Sequence, residues 1–138
     1  MAIPSKFSGR EIKTLVFAND AAPITLFTLT GTVIVNITCV SIVSVVSGAA
    51  GSISVGIAGA GVAALIANTL ASTIIAGEIW HDAAADAEIE LSSVIKESII
   101  SDGNNIILTP SAQIDTGTLA FYCCWVALSA DGLVVATA

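Results

Sequence analysis

The sequence predicts an all-β chain: a single antiparallel β-sandwich, jelly-roll-like or barrel domain, preceded by an extended N-terminal arm. Three observations carry that expectation. The first is composition, since Thr32 to Val46 reads TVIVNITCVSIVSVV and 11 of those 15 residues are Val, Ile or Thr. Branching at Cβ restricts χ1 against a helical turn and suits a pleated strand. The second is period two: Val33, Val35, Ile37 and Cys39 fall on one side of that segment, and Thr32, Asn36 and Thr38 on the other. The third is turn chemistry recurring roughly every 8–12 residues, the spacing of antiparallel sandwiches and barrels.

These observations decide how to read the 57-residue run from Ala21 to Gly77, which contains no Asp, Glu, Lys, Arg or His. The chain is 55% hydrophobic with a mean hydropathy of +0.94, and about 18 apolar residues suffice for a membrane helix. The competing reading is therefore a small membrane protein with a two-helix hairpin across residues 24–46 and 53–80. Against it stands Ser47-Gly-Ala-Ala-Gly-Ser52, a turn composition that would leave backbone polar groups unpaired in mid-bilayer. Strands are preferred, and no membrane partner is expected.

Taken in order, residues 1–13 form a basic N-terminal arm and residues 14–138 one β domain. Strands are expected at Lys13–Ala18 and Ile24–Leu29, with Pro23 and Thr30-Gly31 as punctuation. A long strand follows at Val33–Val46. Next, Ser52–Ala58 alternates, placing Ile53, Val55 and Ile57 opposite Ser52, Ser54 and Gly56. Val62–Ala67 reads as a strand or the start of a short helix, and Ile74–Trp80 as a strand. His81–Glu88 is an acidic, Ala-rich loop or single helical turn. Asp102-Gly-Asn-Asn105 separates two β-prone segments and predicts a hairpin, because Gly and Asn tolerate positive φ. A further strand is expected at Leu119–Leu128, turned by Asp131-Gly132 into Leu133–Thr137.

Charge limits the function classes. Only 11% of the 138 residues are charged, against roughly 25% for an ordinary soluble domain. So little charge implies that apolar surface is covered by further copies or a larger partner. Lys6, Arg10 and Lys13 offset by Glu11 give residues 1–13 a charge of +2, whereas residues 14–138 carry Lys96 against ten carboxylates, or −9. The arm could lie on an acidic surface, but three basic residues on so acidic a chain argue against nucleic acid. The first apolar run follows a polar, Gly-containing segment, so no secretory leader is expected.

No chemistry-bearing constellation emerges. Cys39, Cys123 and Cys124 lack CxxC spacing, and strand neighbours 123 and 124 point to opposite faces; all three read as small hydrophobes. Gly59-Ala-Gly61-Val-Ala-Ala64 mimics a dinucleotide fingerprint with Glu78 downstream, but no second βαβ unit follows. The single histidine, His81, stands beside Asp82, with Asp86, Glu88 and Glu90 downstream. A cation site is conceivable there, but a solvated loop is preferred. One histidine without a nucleophile elbow predicts no enzyme, catalytic residue, cofactor or metal. Trp80, Phe121, Tyr122 and Trp125 are expected as core or interface anchors, alongside Val33, Val35, Ile37, Ile53, Val55 and Ile57.

Several segments together resemble a known group: Ser5–Ile12 (SKFSGREI), Gly51–Ile57 through Ala64–Ala67, Ala76–Asp82 (AGEIWHD), Ile100–Thr109 (ISDGNNIILT) and Phe121–Gly132 (FYCCWVALSADG). They are similar to small virion proteins of tailed bacteriophages, among them capsid decoration, or cement, proteins. The resemblance implies a homotrimer of β-sandwich or barrel subunits seated on the capsid surface at three-fold and quasi-three-fold positions. It implies the phage major capsid protein as partner and offers no catalytic residue. With it, Lys6, Phe7, Arg10 and Lys13 become the expected capsid-binding residues of the arm. A head-fibre base or a tail component stays open at this point.

Overall fold

The computed structural model describes residues 8–58, 61–83, 85 and 88–138. Lys6, Phe7, Gly59 and Asp86 lie outside the described residues. Ten strands are present among those described: β1 (Gly9–Val16), β2 (Ile24–Thr30), β3 (Val33–Val46), β4 (Ser52–Ile57), β5 (Gly61–Leu70), β6 (Ile79–Trp80), β7 (Ser98–Ile100), β8 (Ile106–Pro110), β9 (Thr116–Ala127) and β10 (Leu133–Ala136). They form two five-stranded sheets. The first runs β1-β9-β3-β6, with β7 also paired to β3; the second runs β10-β2-β8-β4-β5.

The pairings nest inside one another. β1 pairs with β9, β2 with β8, β3 with β7 and β6, and β4 with β5, all antiparallel. This is one long ribbon, turned at the β4–β5 tip and wound so that successive pairs fall in alternate sheets. That winding is jelly-roll connectivity, and β10 extends it by pairing with β2.

The period-two reading of β3 holds along its first half. Val33, Val35, Ile37 and Cys39 point inward and are buried, while Ile34, Asn36, Thr38 and Val40 between them are partly exposed. Facing them from the second sheet are Leu26, Phe27, Ile53, Val55, Ile106 and Leu108, all fully buried. Each side chain of this size stabilises the fold by roughly 1.5–3 kcal/mol relative to exposure. Of the expected anchors, Trp80 and Phe121 are fully buried and pack edge to face at 6.4 Å between ring centroids. Ile57 and Trp125 are partly buried and pack against the same core.

Several expectations need correction. Residues 9–13 are not arm but paired strand: Gly9 to Lys13 register with Trp125 to Phe121 of β9. The membrane hairpin is replaced by strands in both of its segments, and among the described residues no helix is long and apolar enough to cross a membrane. Gly61 opens strand β5 rather than a helix, so the dinucleotide reading loses the helix N-terminus it requires. Within Ile74–Trp80 only Ile79 and Trp80 are stranded, because Gly77, at φ +90°, turns the chain so that its N–H donates to the Ser41 carbonyl.

The Asp102–Asn105 hairpin is half right. Asp102 and Gly103 adopt φ +60° and +67° and reverse the chain, but β7 and β8 do not pair with each other. β7 joins β3 in the first sheet, and β8 lies between β2 and β4 in the second. The turn is fastened instead to the β2–β3 corner, with Gly103 N–H donating to the Gly31 carbonyl at 3.0 Å and Leu29 N–H to Asn105 Oδ1 at 3.0 Å.

Candidate assembly surface

The alternation that buries one side of the first sheet sets a second, outward side. On β1 this side carries Arg10, Ile12, Thr14 and Val16. By register Tyr122 stands between Ile12 and Thr38, Ala120 between Thr14 and Val40, and Val40 beside Ile79. Ile34 is flanked by Val126 and Ile99 at one end, and Val43 by Thr118 at the other. Ile12, Val16, Val43 and Ile99 are 47%, 64%, 51% and 68% exposed. Arg10, on the edge strand, is the sole charged side chain that the sheet's strands turn to this face. Burying such cross-strand rows removes apolar surface from water at roughly 25 cal/mol per Å².

The outer face of the second sheet differs. There β2 presents Thr28 and Thr30, β8 presents Thr109, and β4 presents Ser52 and Ser54. Thr28 and Thr30 are exposed to solvent, whereas Ser54 is only 4% exposed and donates to the Val62 carbonyl at 2.9 Å. Leu133 and Val135 of β10 at one edge, and Val62 and Leu70 of β5 at the other, are the exposed large apolar residues of this sheet.

Both open edges of the sandwich are fastened by polar contacts. On one side Lys13 Nζ donates to the Thr137 carbonyl at 3.0 Å and Ala136 N–H donates to Glu11 Oε1 at 2.9 Å, joining β1 to the C-terminal strand. The Lys13 ammonium is thus engaged within the chain, whereas Arg10 is exposed on the face. On the other side Trp80 Nε1 donates to Thr69 Oγ1 at 2.7 Å, and Thr69 Oγ1 donates to the Asp82 carbonyl at 2.7 Å.

The residue after Trp80 departs from the solvated-loop reading. The His81 side chain is only 8% exposed, with Nε2 at 3.0 Å from Glu90 Oε2 and Nδ1 at 3.5 Å from Asp82 Oδ2. It lines a cleft of about 530 Å³ together with Ile37, Leu65, Val94, Asp82 and Lys96. Among the described residues no three His, Cys, Asp or Glu side chains are grouped to hold a metal ion.

All three cysteines are free. Cys123 points inward, and burial pushes its thiol up to about 12, with the neighbouring Cys124 and Glu11 adding to the shift. Burial likewise raises Cys39 well above the ordinary thiol range. Cys124 lies on the outward side of β9, partly exposed, between Arg10 and Asn36.

No protein-family model and no curated protein matches the chain. Among solved structures it is similar to a chain in the acidic-stable capsid of the Helicobacter pylori bacteriophage KHP30, at 10% identity and a TM-score of 0.48, with 94% of each chain covered. It is also similar to a chain of the cyanophage Pam1 capsid asymmetric unit, at 13% identity and a TM-score of 0.49, covering 86% of this chain and 84% of that one. A Bacillus endospore-appendage pilus chain aligns at 10% identity and a TM-score of 0.37, covering 88% of each. At such identities the likeness is one of fold, and function has to come from surfaces.

The outward face of the first sheet was legible only in part beforehand. The inward positions follow from alternation, and their outward neighbours follow by subtraction. That one sheet would gather apolar outward rows and the other hydroxyls depends on which strands pair, which no local signal specifies.

Proposed function

We propose that this chain is a structural, non-enzymatic virion protein of a tailed bacteriophage: a capsid decoration, or cement, protein that forms homotrimers on the head surface and stabilises contacts between capsomers. The observation that carries this reading is the outward face of the first sheet, an exposed apolar surface with a single charge at its rim, on a chain of net charge −7. Surfaces of this kind are found where proteins assemble. The resemblance of the segments quoted above to phage decoration proteins gives the assembly its setting.

In this reading the major capsid protein is bound through the basic N-terminal residues Lys6, Phe7 and Arg10. Lys13, at the base of that segment, holds β1 to the C-terminal strand. Each contact contributes modestly, and many copies on one particle add up. Cosedimentation of the purified chain with heads stripped of accessory proteins tests this. The expected result is saturable binding, heads that resist heat better when decorated, and at least a tenfold loss of binding on deleting residues 2–7 with Arg10→Glu. A chain that stays in the supernatant, or that pellets with tails and not with heads, overturns the proposal.

A further inference from the structure

We propose that the outward face of the first sheet, inside its Arg10 rim, is where copies of this chain meet one another, which leaves that rim and the residues before it for the capsid; the inference rests on reading the chain as an assembling virion protein. Charge selects the occupant. Two copies each carrying −7 repel wherever their carboxylates come within the ionic screening distance of about 8 Å. The strands that build the face on Ile12, Tyr122 and Ile99 turn no carboxylate to it, so a second copy can approach its centre without that penalty. A cationic partner would meet only the like-charged Arg10 among the side chains that these strands turn to the face.

Area points the same way. Four strands about 4.8 Å apart, with central strands rising about 3.4 Å per residue, give a face on the order of 700 Å². A stable interface buries roughly 800 Å² per partner. Tyr122, set between Ile12 and Thr38, gives the centre of the face an aromatic anchor of the kind enriched at protein interfaces. On the second sheet the exposed Thr28 and Thr30 can stay hydrated, and the exposed apolar side chains, Leu133 and Val135 of β10 and Val62 and Leu70 of β5, lie on its edge strands.

Native mass measurement of the full chain tests the assignment. The wild type should be oligomeric at micromolar concentration, and the Val16→Glu, Ile99→Glu double variant, altered at two well-exposed positions, should be monomeric with an unchanged circular dichroism spectrum. Val135→Glu, in the second sheet, should keep the wild-type mass. Cys124 provides a readout that needs no substitution: a bulky maleimide should modify it slowly in the oligomer and at least tenfold faster after dilution into monomers. An unaltered mass for the double variant, a monomeric wild type, or Cys124 labelling that is independent of concentration would overturn the inference. An oligomer that does not bind heads removes the decoration reading and leaves this one standing. A monomer that binds heads does the reverse.

Discussion

Trp80 Nε1 donates to Thr69 Oγ1 at 2.7 Å, and this buried hydrogen bond links β6 of one sheet to β5 of the other. Trp80 also packs edge to face on Phe121, so one residue fixes both the apolar filling and the polar closure of that edge. Replacing Thr69 with Val keeps the shape and removes the acceptor, leaving the indole N–H only the longer contact to the Asp82 carbonyl at 3.1 Å. Thr69→Val should cost about 1–3 kcal/mol, the range for a buried donor deprived of its partner. Urea denaturation followed by Trp fluorescence measures it, with an unchanged m-value expected.

Gly117 offers a backbone test. It lies in β9 at φ +133°, beside the irregular register between Val43 and Val46 of β3. A Cβ there would lie 2.8 Å from the Val45 Cα. Gly117→Ala combines a disfavoured φ with a backbone clash and should destabilise by about 2–4 kcal/mol. Thermal unfolding should show it as a lowered midpoint, whereas Ala120→Gly in the regular part of the same strand should cost about 1 kcal/mol or less.

The buried thiol of Cys123 makes an alkaline prediction. Its folded value, about 12, lies above the ordinary 9.0, so the unfolded chain releases this proton first as pH rises. The stability linked to the protonated thiol is fully present below pH 9.0 and is lost as the pH climbs from there towards 12. The urea midpoint should fall across that window, and Cys123→Ala should flatten the fall. Alkylation of Cys39 and Cys123 at pH 9 should track global unfolding, because the nucleophile is the thiolate and burial disfavours it.

Asp115 works in the opposite direction. It accepts from Gln113 Nε2 at 2.8 Å and from Gly48 N–H at 2.8 Å, and these hydrogen bonds hold its carboxyl below the ordinary 3.8. Its contribution is present above that value and lost as pH falls through the lower folded one. The Gly48 amide should exchange with solvent faster in acid, and Asp115→Ala should reproduce the effect at neutral pH. Hydrogen exchange at Gly48, with β3 amides as the reference, is the measurement.

The strands and their inward faces were largely written in local sequence. Val33–Val46 needed only β-branching and alternation, and Asp102-Gly103 chose its own positive-φ turn. Around His81 the acidic, Ala-rich neighbourhood signals solvent, whereas Glu90, nine residues on, turns back to meet its ring.

By itself the sequence determined that the chain is β-structured, that one side of each long strand is buried, and that its 57-residue uncharged run needs covering by something other than water. Tertiary structure decided which partner each strand takes. Only the nested pairing sends β7 and β8 to different sheets, brings Glu11 and Lys13 against the C-terminal strand, and sets Ile34 of β3 between Val126 and Ile99. The physical reason is that turns and side-chain alternation are specified by near neighbours, whereas strand order is fixed by contacts between residues as far apart in sequence as Gly9 and Trp125, whose free energy exists only once the whole core has closed.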